Sequence, residues 1–161
     1  MLARGNRWKG GDILTRVEKS IVIRAPLGKV WEMLALDRMP VWMDDLRSVE
    51  YTSEVRAPED KYRVGASAHW VKVEKEEFDV EIIESLENQK ITFRTSPVHG
   101  VCMIATFAVK PAEAGTEMAY VVDYEMPWSF LGKILGKLFV RRALEKDIEG
   151  ELENLKSVLE K

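Results

Sequence analysis

Hydrophobic and polar residues alternate along most of this chain, in the two-residue period that is typical of β-strands. The alternation is clearest over residues 77–85, where Phe78, Val80 and Ile82 share one face and acidic residues occupy the other. Similar patterns, bounded by proline, glycine and polar turns, predict seven short strands in all. They cover residues 17–25, 48–55, 65–74, 77–85, 90–95, 99–110 and 116–126.

The C-terminal segment that follows Pro127 has a helical period instead. A long helix is predicted from near Ser129 or Phe130 almost to the C-terminus. At about 100° per residue, the apolar side chains of this helix fall within one broad arc. The arc consists of Ile134, Leu138, Leu144, Ile148, Leu152, Leu155 and Leu159.

Two shorter helices are predicted between the first two strands, over residues 26–36 and 37–46. The second of them gathers Met39, Trp42 and Met43 beside acidic residues. We interpret this cluster as a hydrophobic plug that closes one end of the sheet, as the rim of a pocket, or as both.

Consecutive strands with short turns, followed by one amphipathic helix, predict an α+β fold. The expected architecture is a curved seven-stranded antiparallel sheet wrapped around a long C-terminal helix, with two short helices after the first strand. Residues 1–16 are expected to form an N-terminal arm, and residues 17–161 a single domain. One helix lying across a curved sheet leaves a gap that side chains need not fill, which is a natural small-molecule site.

Composition narrows the class of protein. The formal net charge of −3 argues against nucleic acid as a partner, and no apolar run is long enough for stable membrane insertion. The single cysteine, Cys102, suits a reducing compartment, so a cytoplasmic location is expected. No metal-ligand spacing or phosphate-binding loop is present, so we predict neither a metal nor a cofactor. The sequence leaves the oligomeric state open.

Several segments, taken in order, resemble one superfamily. They are IRAPLGKVWEML, the segment around Trp42, Val64-Gly65, AGTEMAYVVDYEMP and LENLKSVLE. Over residues 17–161 the chain resembles the SRPBCC (START-like, helix-grip) superfamily, and within it the polyketide cyclase/dehydrase and lipid-transport branch. The resemblance implies a deep pocket between sheet and helix for lipids, isoprenoids or polyketides. Some members of the superfamily catalyse aromatisation, dehydration or cyclisation, and others bind or carry a ligand.

Inward-facing aromatic and methionine side chains are the candidates for a pocket lining. On pattern alone they fit a solid core equally well, and the resemblance favours the pocket. Two of them are tyrosines, whose buried hydroxyls could orient a ligand carbonyl or bond to each other. The set comprises Phe78, Phe93, Met103, Phe107, Tyr120, Tyr124, Met126 and Trp128.

Three further residues complete the predicted ligand-binding set. Trp42 belongs to it as part of the possible pocket rim. In the third strand we place the odd positions inward, which turns His69 toward the pocket as a possible acid or base and leaves Trp70 exposed. Arg141 falls inside the apolar arc of the long helix. It is interpreted first as a structural ion pair, and otherwise as a cation for a ligand carboxylate or phosphate.

The sequence therefore favours binding, and possibly transport, of a hydrophobic small molecule or lipid. The first alternative is a metal-free cyclase, aromatase or dehydratase that acts on a polyketide-like or aromatic substrate. The second is a groove for an apolar peptide or protein partner. No catalytic residue is assigned.

Overall fold

Seven antiparallel strands form one curved, unclosed sheet in the computed structural model, which describes residues 13–98, 100–126 and 134–161, with the backbone alone at 13, 126 and 134–137. The strands are β1 (Ile13–Ile23), β2 (Leu46–Tyr51), β3 (Ser67–Lys72), β4 (Glu77–Leu86), β5 (Lys90–Thr95), β6 (Met103–Ala112) and β7 (Gly115–Met126). Their order in the sheet is β1-β7-β6-β5-β4-β3-β2, so β2 to β7 make a meander and β1 lies against β7.

Two α-helices complete the fold, α1 (Leu27–Glu32) and α2 (Ile134–Leu159). The second short helix predicted before β2 is a 3₁₀ helix over Leu36–Val41, in which Pro40 lacks the N–H that a longer α-helix would need. A further 3₁₀ turn over Pro58–Tyr62 was not predicted. The α+β architecture expected from the sequence is confirmed.

The first strand begins earlier than the hydrophobic pattern indicated. Residues 13–16, which the sequence analysis placed in the arm, pair with residues 123–126 of β7. Arg16 supports this extension, because its guanidinium group donates two hydrogen bonds to the Asp123 carboxylate, at 2.7 and 2.9 Å. A cross-strand ion pair thus supports the pairing of β1 with β7 at residues 13–16, where the alternation of apolar and polar residues is weak.

The C-terminal half of α2 holds the helix against the sheet. Ile148, Leu152 and Leu155 are buried there, and the Lys156 ammonium group donates a hydrogen bond to the carbonyl oxygen of Val22 at 2.8 Å. Residues 138–143, in contrast, are exposed. The predicted apolar arc is therefore right for the second half of the helix and wrong for Leu138, which is 49% exposed.

The cluster around Trp42 is a plug. Met39, Trp42 and Met43 are all buried, and the indole N–H of Trp42 donates to the carbonyl oxygen of Met33 at 3.0 Å. The Trp42 ring also meets the Phe107 ring edge-on, with 5.7 Å between centroids. Burial of all three side chains agrees with the predicted plug, and Met43 also lies on the wall of the cavity described below.

We predict that Gly115→Ala destabilises the protein by about 2 kcal/mol or more. Gly115 has φ of +146°, and a Cβ atom there would overlap the carbonyl oxygen of Ile23. The matched variant Gly28→Ala should instead stabilise by about 0.5–1 kcal/mol, because it adds a helix-favouring methyl group, and nothing lies within 4 Å of its position. Urea unfolding measures the free energy of unfolding of both variants. Equal changes in the two would contradict the requirement for glycine at position 115 of β7.

Candidate functional site

A cavity of about 470 Å³ lies between the concave face of the sheet and α2. Its volume is within the range of small-molecule sites. Apolar and aromatic residues form most of its wall. They are Met43, Leu46, Trp70, Phe78, Val80, Phe93, Val98, Val101, Met103, Ala105, Phe107, Tyr120, Val122, Tyr124, Phe139, Val140, Ala143, Leu144 and Ile148.

The cavity exists because α2 packs over only half of its length. From Ile148 onward the helix fills the hollow of the sheet, whereas its earlier part stands clear and contributes Val140, Ala143 and Leu144 as a roof. Small side chains also keep the space open. Ala105 from the sheet and Ala143 from the helix both line it.

Six of the predicted pocket residues lie on this wall. Phe107 is their centre, because its ring contacts Tyr120 and Phe93 with centroid distances of 4.5 and 5.5 Å. The six are Phe78, Phe93, Met103, Phe107, Tyr120 and Tyr124. Trp128 and the side chain of Met126 lie outside the described residues.

The predicted inward face of β3 is wrong. Ala68 is buried and Trp70 lines the cavity, so the even positions face inward. His69 points to the outer face, where its Nδ1 atom lies 2.9 Å from the Asp79 carboxylate and its Nε2 atom 3.4 Å from that of Glu77. The acidic outer face of β4 accounts for this placement, since it offers His69 partners that raise its pKa, with the Asp79 hydrogen bond foremost.

Arg141 does not face the cavity either. Its side chain is 50% exposed and pairs with Glu145 one helical turn later, at 3.2 Å. The helical wheel predicts that Arg141 is buried, but residues 138–143 in the first half of α2 are exposed. Trp42 also lies off the wall, because its ring packs behind Phe107 within the plug.

Sequence reasoning missed Glu151, the most unusual ionisable group on the wall. Its side chain is half-buried on α2, facing Tyr120. The pKa of Glu151 is raised to about 8, first by burial and then by the negative charge of Asp45. A hydrogen bond from Tyr120 and the positive charge of Lys72 act in the opposite direction. The helical wheel held the signal, since Glu151 lies only about 20° from Leu144.

The pKa of Tyr120 is also shifted by burial and by Glu151. The pKa of its phenol is raised well above the ordinary value, first by burial and then by the nearby charge of Glu151. At neutral pH this end of the cavity therefore presents a phenol and a largely protonated carboxyl group side by side. Such a pair can donate a hydrogen bond or a proton to a ligand.

Charged side chains surround the place where the cavity meets an adjoining open groove of about 610 Å³. Five residues line both spaces, and we call them the acidic mouth. Lys72 is the one cation of the five, and its ammonium group is paired with the Asp45 carboxylate at 3.0 Å. The acidic mouth consists of Asp45, Lys72, Glu76, Asp147 and Glu151.

Two hydrogen-bond donors in the wall, the indole N–H of Trp70 and the hydroxyl of Tyr124, complete no hydrogen bond of good geometry among the described residues. Burial raises the pKa of Tyr124, and the neighbouring Thr15 hydroxyl acts in the opposite direction. Neither of these two hydroxyl groups completes a hydrogen bond of good geometry within the described part of the chain. Buried polar atoms without partners are uncommon in folded proteins.

Neither a metal site nor a membrane span is found in the part of the chain that the structure describes. No three His, Cys, Asp or Glu side chains are grouped there as metal ligands. No described helix has the length and apolar character to cross a membrane.

Comparison with known proteins gives one family match. The model of the family described as polyketide cyclase / dehydrase and lipid transport matches residues 15–160. No curated protein sequence matches the chain.

Solved structures share the fold. A Staphylococcus aureus protein of unknown function is 12% identical with a TM-score of 0.73, over 92% of this chain and 95% of its own. An aromatase/cyclase from a Streptomyces species is 17% identical with a TM-score of 0.69, over 92% and 94%. A Thermus thermophilus protein is 21% identical with a TM-score of 0.67, over 90% and 95%. At these identities the likeness establishes the fold alone.

We expect Glu151 to contribute a decline in the free energy of unfolding as the pH rises from about 4.5 to about 8. Its pKa is higher in the folded than in the unfolded protein, so the folded state holds the extra proton in that window. The contribution to the slope is at most about 1.4 kcal/mol per pH unit. Urea unfolding across this range should show a shallower decline in Glu151→Gln, and a wild-type slope in the exposed control Glu153→Gln. Identical slopes in all three proteins would refute the assignment.

Proposed function

We propose that this chain, which belongs to the polyketide cyclase/dehydrase and lipid transport family, binds a hydrophobic small molecule or lipid in the cavity between its sheet and α2. The observation that carries this proposal is the cavity itself, an apolar hollow beneath the half of α2 that does not pack on the sheet. Transfer of the ligand to another carrier or to a membrane would be a natural extension of this role.

Energetics support binding driven by apolar contact. Each Å² of apolar surface removed from water contributes about 25 cal/mol, so a ligand that buries about 300 Å² gains roughly 7 kcal/mol before the cost of association. A single neutral hydrogen bond adds only about 1 kcal/mol. The aromatic walls would therefore supply the affinity, and the few polar groups would decide orientation and selectivity.

The size of the cavity favours a small molecule over a peptide. A peptide strand would need an extended groove or an open sheet edge for its backbone hydrogen bonds. The described hollow of about 470 Å³ is instead a compact space lined by side chains from six strands and α2. A groove for an apolar peptide or protein partner is therefore the less favoured hypothesis.

Glu151 favours a second candidate, an enzyme of the cyclase or dehydratase type. With a pKa of about 8 its carboxyl group carries a proton at neutral pH, and it lies on the cavity wall beside Tyr120. In a dehydration it would give that proton to a departing hydroxyl group, which leaves as water when its C–O bond breaks. The Glu151 carboxylate so formed would take a proton from the adjacent carbon, so that a C=C bond forms and the carboxyl group is restored. That one structure with this fold is an aromatase/cyclase supports keeping this alternative, by analogy of fold alone.

Filling the cavity should weaken binding. We expect Ala105→Phe to weaken binding of diphenylhexatriene, a fluorescent hydrocarbon, by at least about tenfold, or about 1.4 kcal/mol. The ring would occupy the space that the ligand needs. Ala108 lies on the same strand but not on the cavity wall, so Ala108→Phe is the matched control and should bind as the wild type does. Equal affinity in the two variants would reject the cavity as the binding site.

The enzymatic hypothesis requires a different result. Glu151→Gln should retain binding of the hydrocarbon within about twofold and lose turnover of a hydroxylated polyketide-like substrate by about a hundredfold or more. Product formation is followed by mass spectrometry, with Glu153→Gln as the control. If the wild-type protein binds the substrate and leaves it unchanged, the chain is a carrier and this second hypothesis fails.

A further inference from the structure

Glu151 lies at the boundary between two spaces of different polarity. It is on α2 between the buried residues Ile148 and Leu152, and it lines both the apolar cavity and the open groove beside it. Tyr120, which is only 8% exposed, meets it from the sheet. An apolar ligand in the cavity would therefore cover one side of this carboxyl group.

Most charged groups around Glu151 have the sign of its own carboxylate. Five further carboxyl groups line the same groove, two from the segment before β2, two from the turn between β3 and β4, and one from the preceding turn of α2. Repulsion among them disfavours a negative charge at position 151. They are Asp44, Asp45, Glu74, Glu76 and Asp147.

Two ammonium groups lie on the described walls of the groove and the cavity. That of Lys72, on β3, reaches both spaces and is paired with the Asp45 carboxylate at 3.0 Å. Lys146, on α2, lines the groove and not the cavity. A ligand without charge that enters the cavity therefore brings Glu151 no counter-ion.

We propose that protonation of Glu151 controls occupancy of the cavity, so that an apolar ligand is held while this carboxyl group is neutral and is released as it ionises. This inference rests on the proposed binding function and concerns the regulation of that site. It applies to a carrier and to an enzyme alike, because it concerns binding and not turnover.

The physical basis is the loss of water from the carboxyl group. Solvent that reaches Glu151 through an empty cavity is excluded by a bound apolar ligand. Removing water from a carboxylate is far more costly than removing it from a neutral carboxyl group. The ligand therefore binds the protonated form more tightly, and by linkage it favours protonation by the same factor.

The pH range of this effect follows from the ligand-free protein. The pKa of Glu151 is about 8, raised first by burial and then by Asp45, so its carboxyl group is mostly protonated at pH 6 and mostly ionised at pH 9. Affinity should be nearly constant between pH 6 and pH 7. Above that range it should fall by at most about tenfold per pH unit, up to the higher pKa that Glu151 has in the complex.

Binding of diphenylhexatriene to the intact chain tests the proposal, because this hydrocarbon carries no charge at any pH used. Its dissociation constant is measured by fluorescence at pH 6, 7, 8 and 9 and constant ionic strength, with circular dichroism to verify folding at each pH. We expect the dissociation constant to rise at least about fivefold from pH 7 to pH 9. A smaller rise would overturn the inference.

The variant Glu151→Gln keeps the size of the side chain and removes its titration. Its dissociation constants at pH 7 and pH 9 should agree within about twofold. Glu153→Gln is the matched control, because Glu153 is an exposed acid on the same helix, and it should keep the wild-type profile. If Glu151→Gln loses affinity between pH 7 and pH 9 as the wild type does, another group is responsible and the inference is wrong.

The ionisation of Glu151 gives an independent measurement. Carbon-13 NMR of protein labelled at the glutamate carboxyl carbons follows the titration, and the signal that is missing in Glu151→Gln identifies residue 151. With diphenylhexatriene bound, the midpoint should move to higher pH by at least about 0.7 pH units, which is the fivefold change in affinity expressed on the pH scale. An unchanged midpoint in the dye-bound protein would refute the linkage.

Failure of the inference is distinct from failure of the proposed function. If diphenylhexatriene does not bind at pH 7, or if Ala105→Phe does not affect its binding, the cavity is not a hydrophobic site and the function fails. If the dye binds in the cavity with the same affinity at pH 7 and pH 9, the binding function stands and Glu151 does not control it.

Discussion

The uneven packing of one helix determines the rest of this structure. Three side chains, Ile148, Leu152 and Leu155, are buried against the sheet, and each contributes about 1.5–3 kcal/mol of hydrophobic stabilisation. Polar contacts fix the same end of α2. The backbone N–H of Arg24 donates to the Glu160 carboxylate at 2.8 Å, and the Asn154 side chain donates to the carbonyl oxygen of Trp42 at 3.2 Å. With its C-terminal half anchored in this way, the first half can stand clear of the sheet.

The cavity and its unusual electrostatics both follow from that asymmetry. Where α2 leaves the sheet, a space remains that Met43 of the plug helps to line. At the boundary between the packed and unpacked halves, Glu151 is drawn out of water together with Tyr120. A carboxyl group in that position is easier to hold protonated than charged. The same arrangement reduces stability at high pH and places a hydrogen-bond donor on the cavity wall.

The polar groups of the cavity are few, and their placement matters more than their number. An aromatic wall accepts many apolar shapes, since dispersion and hydrophobic contact depend little on direction. Hydrogen-bond donors have direction, and a buried donor without an acceptor disfavours any ligand that does not supply one.

Local patterns were sufficient for much of this fold. The alternation of Phe78, Val80 and Ile82 fixed the inward face of β4, and the strand order along the chain fixed the sheet-and-helix class. The inward aromatic positions of β5, β6 and β7 followed from the same rule. This succeeded because a strand's two faces are set by a period of two, whatever the strand packs against. In β3 the neighbouring residues His69 and Trp70 put a bulky side chain on each face. The alternation therefore did not distinguish the two faces, and the predicted inward face was wrong.

By itself, therefore, the sequence determined the elements, the class of fold and most of the aromatic wall. Only the tertiary structure decided which half of α2 packs and hence where the cavity lies. It also decided that Arg141 pairs with Glu145 in solvent and that Glu151 enters the wall, although both lie close to the apolar arc on the helical wheel. The physical reason is that a helical wheel reports the direction of a side chain and not its distance from the sheet, and that distance depends on contacts between residues far apart in the chain.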